Sequence, residues 1–222
     1  MSSVDNTIPS QLPEDFKERL KVSYDSIAPK YNAWTVQHSS IRMEYLAQVL
    51  ELLPVSDPSQ HLRFLELGCG SGVPVTQKLL SYPAVHVTAN DLSTTQIELL
   101  KSHLLGACEG DMARLEFPEQ SFDSIFAFYS IIHLPRAEQT EMINKIARWL
   151  KPGGYLLANF PEKESEAIVV GKWLDEKGWM FWSGWGKEGT LEIVEEAGFH
   201  IVVGEVSDDV VDSSFLWVIA KR

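Results

Sequence analysis

Apolar positions near the start of the chain recur at helical spacing. Phe16, Leu20, Tyr24 and Ile27 fall three or four residues apart and so share one helix face. Pro29 is expected to end or interrupt that helix. A second stripe, Ile41, Tyr45, Leu46, Val49, Leu50 and Leu53, predicts another helix with Ser39 or Ser40 as its N-cap. Residues 54–60 are turn chemistry and make a seam. Residues 1–13 read as a flexible tail, 14–60 as an N-terminal helical cap and 61–222 as one further domain.

Past the seam, strands and helices alternate. Residues 63–67 form a short buried strand that runs through a glycine loop into a helix over 73–81. A strand at 85–89 precedes a helix over 93–105, and a short strand at 107–109 follows. The apolar run 122–128 suits a central parallel strand. A helix over 137–150 stops at Pro152-Gly153-Gly154, and 155–160 is the next strand. Helices are expected at 165–176 and 191–197, and strands at 199–206 and 215–220. This alternation predicts an α/β fold, an open doubly wound sheet with helices on both faces.

The chemistry gathers at strand ends. Glu66-Leu67-Gly68-Cys69-Gly70-Ser71-Gly72 closes the first strand, and ligands of such sheets bind beyond the strand tips. Alternate glycines let the backbone approach a ligand, although a tight turn that binds nothing would need them too. The dinucleotide pattern G-x-G-x-x-G is not met, because position 73 is Val73, and no G-K-[ST] phosphate loop occurs. Asp91, 19 residues past Gly72, ends the second strand. It can accept hydrogen bonds from both ribose hydroxyls, or merely cap the next helix. Another 20 residues on, Asp111-Met112 ends the third strand. A carboxylate there can accept from an exocyclic amine, and methionine offers a ring an apolar surface.

The motifs ELGCGSG, NDLS and EGDM, in that order, resemble those of the class I S-adenosylmethionine-dependent methyltransferases of the small-molecule type. The resemblance runs from about Tyr24 onward through FDSIFAFYSIIHL, LKPGGYLLANF and EEAGF. It implies a Rossmann-like seven-stranded sheet, mostly parallel with an antiparallel last strand. It also implies S-adenosyl-L-methionine as cofactor. The loop with Glu66, Gly68, Gly70 and Gly72 would receive the methionine part, Asp91 the ribose, and Asp111 and Met112 the adenine, with Leu92 among the cofactor-binding residues. Tyr24 and Tyr31 resemble the cap tyrosines that close over the cofactor in this family, or else they only pack the cap helix. Asn90 departs from the pattern, standing where a small or apolar residue is more common.

Tyr129 and His133 follow the fourth strand, where the family places residues that face the transferable methyl. An imidazole that titrates near physiological pH can serve as a base, although a substrate contact or a packing role would also fit. Arg42 and His38 are candidates to grip an acidic acceptor, against a plain surface role. Residues 179–185 hold three of the seven tryptophans and suit either an acceptor wall or packing against the cap.

Composition narrows the classes. Hydrophobic residues at 45% and charged residues at 23% are ordinary for a folded protein. With 31 acidic and 19 basic residues, the net charge of −12 counts against nucleic-acid partners. Two cysteines form no framework, no metal-ligand spacing appears, and no apolar run is long enough to span a membrane. The reading is a cytoplasmic monomer or homodimer that methylates O, N or S of a small molecule. The alternatives are a protein methyltransferase, and a cofactor-binding protein of this fold that acts as a partner subunit or a non-methylating enzyme.

Overall fold

A computed structural model describes residues 12–101, 106–208 and 214–222. Most of the expected tail, and positions 102–105 of the helix expected over 93–105, lie outside the described residues.

Among the described residues, fifteen α-helices and strands follow one another: α1 (Phe16–Thr35), α2 (Ser39–Glu51), β1 (Leu62–Leu67), α3 (Val75–Leu79), β2 (Val85–Asp91), α4 (Thr94–Lys101), β3 (Ala107–Glu109), β4 (Phe122–Ala127), α5 (Arg136–Trp149), β5 (Leu150–Pro161), β6 (Glu164–Val170), β7 (Met180–Trp185), α6 (Gly186–Glu196), β8 (His200–Asp208) and β9 (Ser214–Lys221). The main sheet has the order β3-β2-β1-β4-β5-β9-β8. β9 runs antiparallel to both of its neighbours, and the remaining pairings are parallel. This is the expected doubly wound sheet with an antiparallel last strand. β1 and β4 are buried along nearly their whole length, because helices cover both faces and every side chain must be apolar or paired.

One face carries α2, α3 and α4. There Leu46, Val49 and Leu79 pack on Phe64, Phe126 and Ile219, and Ile97 and Leu100 pack on Ala89. Tyr45 stacks on Trp217, ring centroids 4.3 Å apart, and its hydroxyl donates to Glu205 Oε1 at 2.8 Å. The other face carries α5 and α6 through Met142, Ile143, Ile146 and Val194. The segment expected to form one cap is therefore divided. α2 belongs to the flank of the sheet, whereas α1 packs Phe16, Leu20 and Ile27 on Met180 and Phe181 of β7.

Three local expectations are corrected. Pro29 does not stop α1, which continues to Thr35; burial of Ile27 and Ala28 beside it offsets the lost backbone hydrogen bond. Neither Ser39 nor Ser40 caps α2, because a 3-10 turn, Val36–His38, leads straight into it. Arg42 ties the two helices together here, its guanidinium donating to Thr35 O at 2.8 Å and His38 O at 3.3 Å. Finally, 165–176 is not a helix. Ile168, Val169 and Val170 pair with Trp182, Phe181 and Met180 in an antiparallel β6–β7 arm, a use of β-branched residues that only the partner strand reveals.

Candidate active site

The carboxyl ends of β1 to β4 converge on one crevice. Gly68 adopts φ +68°, and a Cβ there would lie 2.3 Å from Ser130 Cβ, so the loop after β1 passes beneath Ser130 only as glycine. The Gly70 N–H donates to Asp91 Oδ2 at 2.8 Å, and the Ser93 N–H to Asp91 Oδ1 at 2.9 Å. Burial pushes the Asp91 carboxyl up to about 6 against the pull of those amides. Asn90, the departure from the family pattern, has a structural task. Its amide donates at 2.9 Å to the carbonyls of both Cys108 and Gly110, tying the tip of β2 to that of β3. Asp91 and Asp111 are thereby held in register.

Asp111 Oδ1 accepts from the Ala113 N–H at 2.9 Å, and its Oδ2 accepts from Lys17 Nζ at 2.8 Å. Lys17, on α1, also reaches Glu138 Oε2 at 2.5 Å. Burial works against the lysine's charge, but the two carboxylates outweigh it and raise its pKa. α1 is latched a second time by Asp25. Its Oδ1 accepts from Ser93 Oγ at 2.6 Å and from the Thr95 N–H at 2.9 Å, so one helix caps the start of another. Lys21 completes the contact with Asp25 Oδ2 at 2.9 Å.

Between the latches, α1 lowers Tyr24 onto His133. Nδ1 of His133 lies 2.8 Å from the Phe181 carbonyl, which can only accept, so that nitrogen carries the proton. Nε2 then has the lone pair and accepts from the Tyr24 hydroxyl at 2.9 Å. Burial lowers the imidazole to about 4, only partly countered by Phe181. The expectation of a ring that titrates near physiological pH is thus corrected: it stays neutral. Tyr31 packs edge-on to Tyr24 at 5.2 Å. Tyr129 adopts φ +51°, rare for an aromatic residue, and is held there by its N–H donating to Asn159 Oδ1 at 2.7 Å. Such strain, maintained by a buried partner, is a mark of functional positions.

Two cavities meet here. The first is lined at the strand tips by Gly68, Gly70, Asp91, Leu92, Asp111 and Met112. Glu66 and Gly72 stand outside it. Glu66 is buried against α3 and accepts from Thr76 Oγ1 at 2.5 Å, while Gly72 leaves room for Leu100, 2.5 Å from where its Cβ would be. Lys17, Gln96 and Ser130 also line the first cavity, and the sequence reading missed them. Lys17 was legible as the charged residue on the stripe of Leu20 and Tyr24; Gln96 and Ser130 carried no signal. The Gln96 amide and the Ser130 hydroxyl are buried without a hydrogen bond to any described residue, so a polar ligand would satisfy them.

The second cavity, about 780 Å³, lies between α1, the β6–β7 arm and the sheet. Tyr24, Tyr31, Tyr129 and His133 line both cavities and form the wall between them. His38 and Arg42 are buried, not surface residues; His38 lines the second cavity, and Arg42 is spent on the α1–α2 junction. The tryptophan-rich segment packs against α1 and also reaches the second cavity. Phe181 packs on Phe16 at 5.4 Å, and Trp182 faces the second cavity. Among the described residues, no group of three or more His, Cys, Asp or Glu is placed to hold a metal, and no helix is long and apolar enough to cross a membrane.

A glycine loop and two aspartates at successive strand tips, beside buried unsatisfied polar groups, define a nucleoside-cofactor fold of the Rossmann-like kind. Residues 64–154 match the family model of the methyltransferase domain, and the fold is that of S-adenosylmethionine-dependent methyltransferases. It is similar to a phosphoethanolamine N-methyltransferase of Triticum aestivum, 27% identical over 169 residues, 72% of this chain and 32% of that protein. A sterol 24-C-methyltransferase of Gibberella zeae is 30% identical over 101 residues, 42% of this chain and 26% of its own length. The chain thus spans a third or less of these curated relatives. The same fold is seen in the 1,6-didemethyltoxoflavin-N1-methyltransferase of Burkholderia thailandensis, solved with 1,6-didemethyltoxoflavin and S-adenosylhomocysteine. Its TM-score is 0.73 at 15% identity, covering 97% of this chain and 92% of that one.

Proposed function

We propose that the protein binds S-adenosylmethionine in the first cavity and transfers its methyl to a small molecule held in the second. The observation that carries this reading is the shared wall: Tyr24, Tyr31, Tyr129 and His133 border both spaces, so two ligands would meet there and nowhere else. The Gly68–Gly70 backbone would hold the methionine end, Asp91 the ribose and Asp111 with Met112 the adenine. Gln96 and Ser130 would gain the hydrogen bonds they lack. The cofactor supplies an electrophilic methyl on a sulfonium.

The chain's own contribution is alignment and the exclusion of water. α1 closes over the crevice through the Lys17 and Asp25 latches. A neutral His133, its proton fixed on Nδ1, orients the Tyr24 hydroxyl so that the phenolic oxygen can accept from an acceptor O–H, N–H or S–H. With its own proton held by His133 Nε2, Tyr24 Oη would fix the acceptor's lone pair on the methyl, and the acceptor's proton would leave to solvent after transfer. His133 acts through Tyr24, and not as a free base poised near pH 7.

The test is incubation with methyl-labelled cofactor and a metabolite extract. Labelled small molecules and accumulating S-adenosylhomocysteine are expected from the wild type, and neither from Asp91→Ala. Cofactor binding with no labelled product would overturn the transferase reading in favour of a cofactor-binding protein. Label only in macromolecules would move the acceptor to protein.

A further inference from the structure

The second cavity has two aromatic walls. On the lid side, Tyr31, Trp34, Trp173 and Trp182 form one connected group: Trp173 lies 6.0 Å from Tyr31, 5.3 Å from Trp34 and 5.6 Å from Trp182. These rings come from α1, the end of the β6–β7 arm and β7. On the sheet side, Tyr129 meets Phe215 edge-on at 5.0 Å. His38 joins the walls, 4.4 Å from Trp34 and 5.7 Å from Tyr129. Aliphatic side chains are the minority, chiefly Ile132, Ile168 and Val170.

Among the described residues, the acidic and basic side chains of the lining lie at one end. Glu162, Lys163 and Glu164 follow one another where β5 passes into β6, and Lys163 is the one lysine or arginine in the lining among the described residues. Arg136, which is not in the lining, pairs with Glu164 and lies over the Trp185 ring at 4.7 Å. His133 at the inner wall is neutral. A phosphate or carboxylate buried here would have no cluster of bases to compensate its lost hydration. A volume of about 780 Å³ is that of a site for a molecule of several rings.

We infer that the acceptor is a planar, multi-ring aromatic molecule without an anionic group, seated between the two ring walls with its nucleophilic edge at Tyr24 and Tyr129. The inference rests on the methyl-transfer reading above and adds the class of acceptor. Ring faces and edges offer offset and edge-to-face partners to another aromatic system, and a flat molecule loses little conformational freedom on entry.

The experiment is calorimetric titration of the full chain, first with S-adenosylhomocysteine alone. Absence of binding at that step overturns the methyl-transfer reading whatever follows. With the cofactor product bound, the probes are 7-hydroxyflavone, phosphoethanolamine and cyclodextrin-solubilised ergosterol. The flavone is expected to bind most tightly, with no heat from phosphoethanolamine. Trp173→Leu should weaken the flavone by about 5-fold or more and leave S-adenosylhomocysteine affinity within about 2-fold. Retained cofactor affinity shows that the variant is folded, and Trp34→Leu, on a different element, repeats the test if it is not. Tighter binding of phosphoethanolamine or of the sterol overturns the inference while the cofactor result stands. Flavone affinity that neither tryptophan variant changes overturns it as well.

Discussion

Replacing Asp25 by alanine should release the lid without unfolding the sheet. Asp25 Oδ1 takes two hydrogen bonds, from Ser93 Oγ at 2.6 Å and from Thr95 N at 2.9 Å. A bond to a charged group contributes about 1.5–3 kcal/mol. The side chain is a quarter exposed, so water replaces part of this, and the ion pair with Lys21 adds little. About 2 kcal/mol of lid docking should remain to be lost, roughly 30-fold in the docked-to-open ratio. Hydrogen exchange followed by mass spectrometry reads this directly. Peptides from α1 should exchange about 30-fold faster, while peptides from β4 and β5 change little. The pH dependence has a definite sign. Burial would raise the Asp25 pKa, but Ser93, Thr95 and Lys21 outweigh it and the value lies below 3.8. Its contribution is complete above the unfolded pKa of about 4 and is lost as pH falls through the lower folded value. Wild-type protection of α1 should therefore hold at pH 5 and fall below pH 4, a step the variant lacks. Unchanged exchange in α1, or parallel loosening of α1 and the sheet, would refute the reasoning.

Asp91→Ala, which removes the proposed acceptor for the ribose hydroxyls, should weaken S-adenosylhomocysteine about 10- to 150-fold, 1.5–3 kcal/mol, and calorimetry giving wild-type affinity would remove that role. Glu66→Gln should stabilise the fold at alkaline pH. Burial lifts the carboxyl from 4.5 to about 7, so ionising it costs about 3 kcal/mol, incurred as pH rises from the unfolded to the folded value. Urea melts should show the variant ahead at pH 8 and level with wild type near pH 4. Tyr24→Phe and His133→Ala should each lower the transfer rate by about 10²-fold through lost alignment, and the double variant by no more than either alone, because the two groups act as one unit. Additive losses in single-turnover assays would separate them.

Much of the sheet was legible because its information is local. The runs over 63–67 and 122–128 are mostly apolar, as strands under two layers of helices must be, and glycine or aspartate marks the tips of the first three strands. Gly68 had to be glycine for a backbone angle, and the even step from Gly72 to Asp91 to Asp111 followed from one strand–helix unit per interval. The β6–β7 arm was not legible. A short apolar run with neighbouring acids fits a helix or a strand equally, and the decision came from Trp182, Phe181 and Met180 lying opposite. Glu66, inside β1, is turned toward Thr76 and Gly72 passes close to Leu100, contacts with α3 and α4 that the loop motif does not encode.

Hydrophobic period and turn residues act over a few positions, so the layers, the strand tips and the loops that end there can be read along the chain. The site's behaviour comes from long-range packing. Lys17 is 94 residues from Asp111, Tyr24 is 109 from His133, and Trp34 meets Trp173 across the lid. Burial set the protonation of His133, Asp91 and Glu66, because solvation is a property of everything packed around a group and no local pattern encodes it.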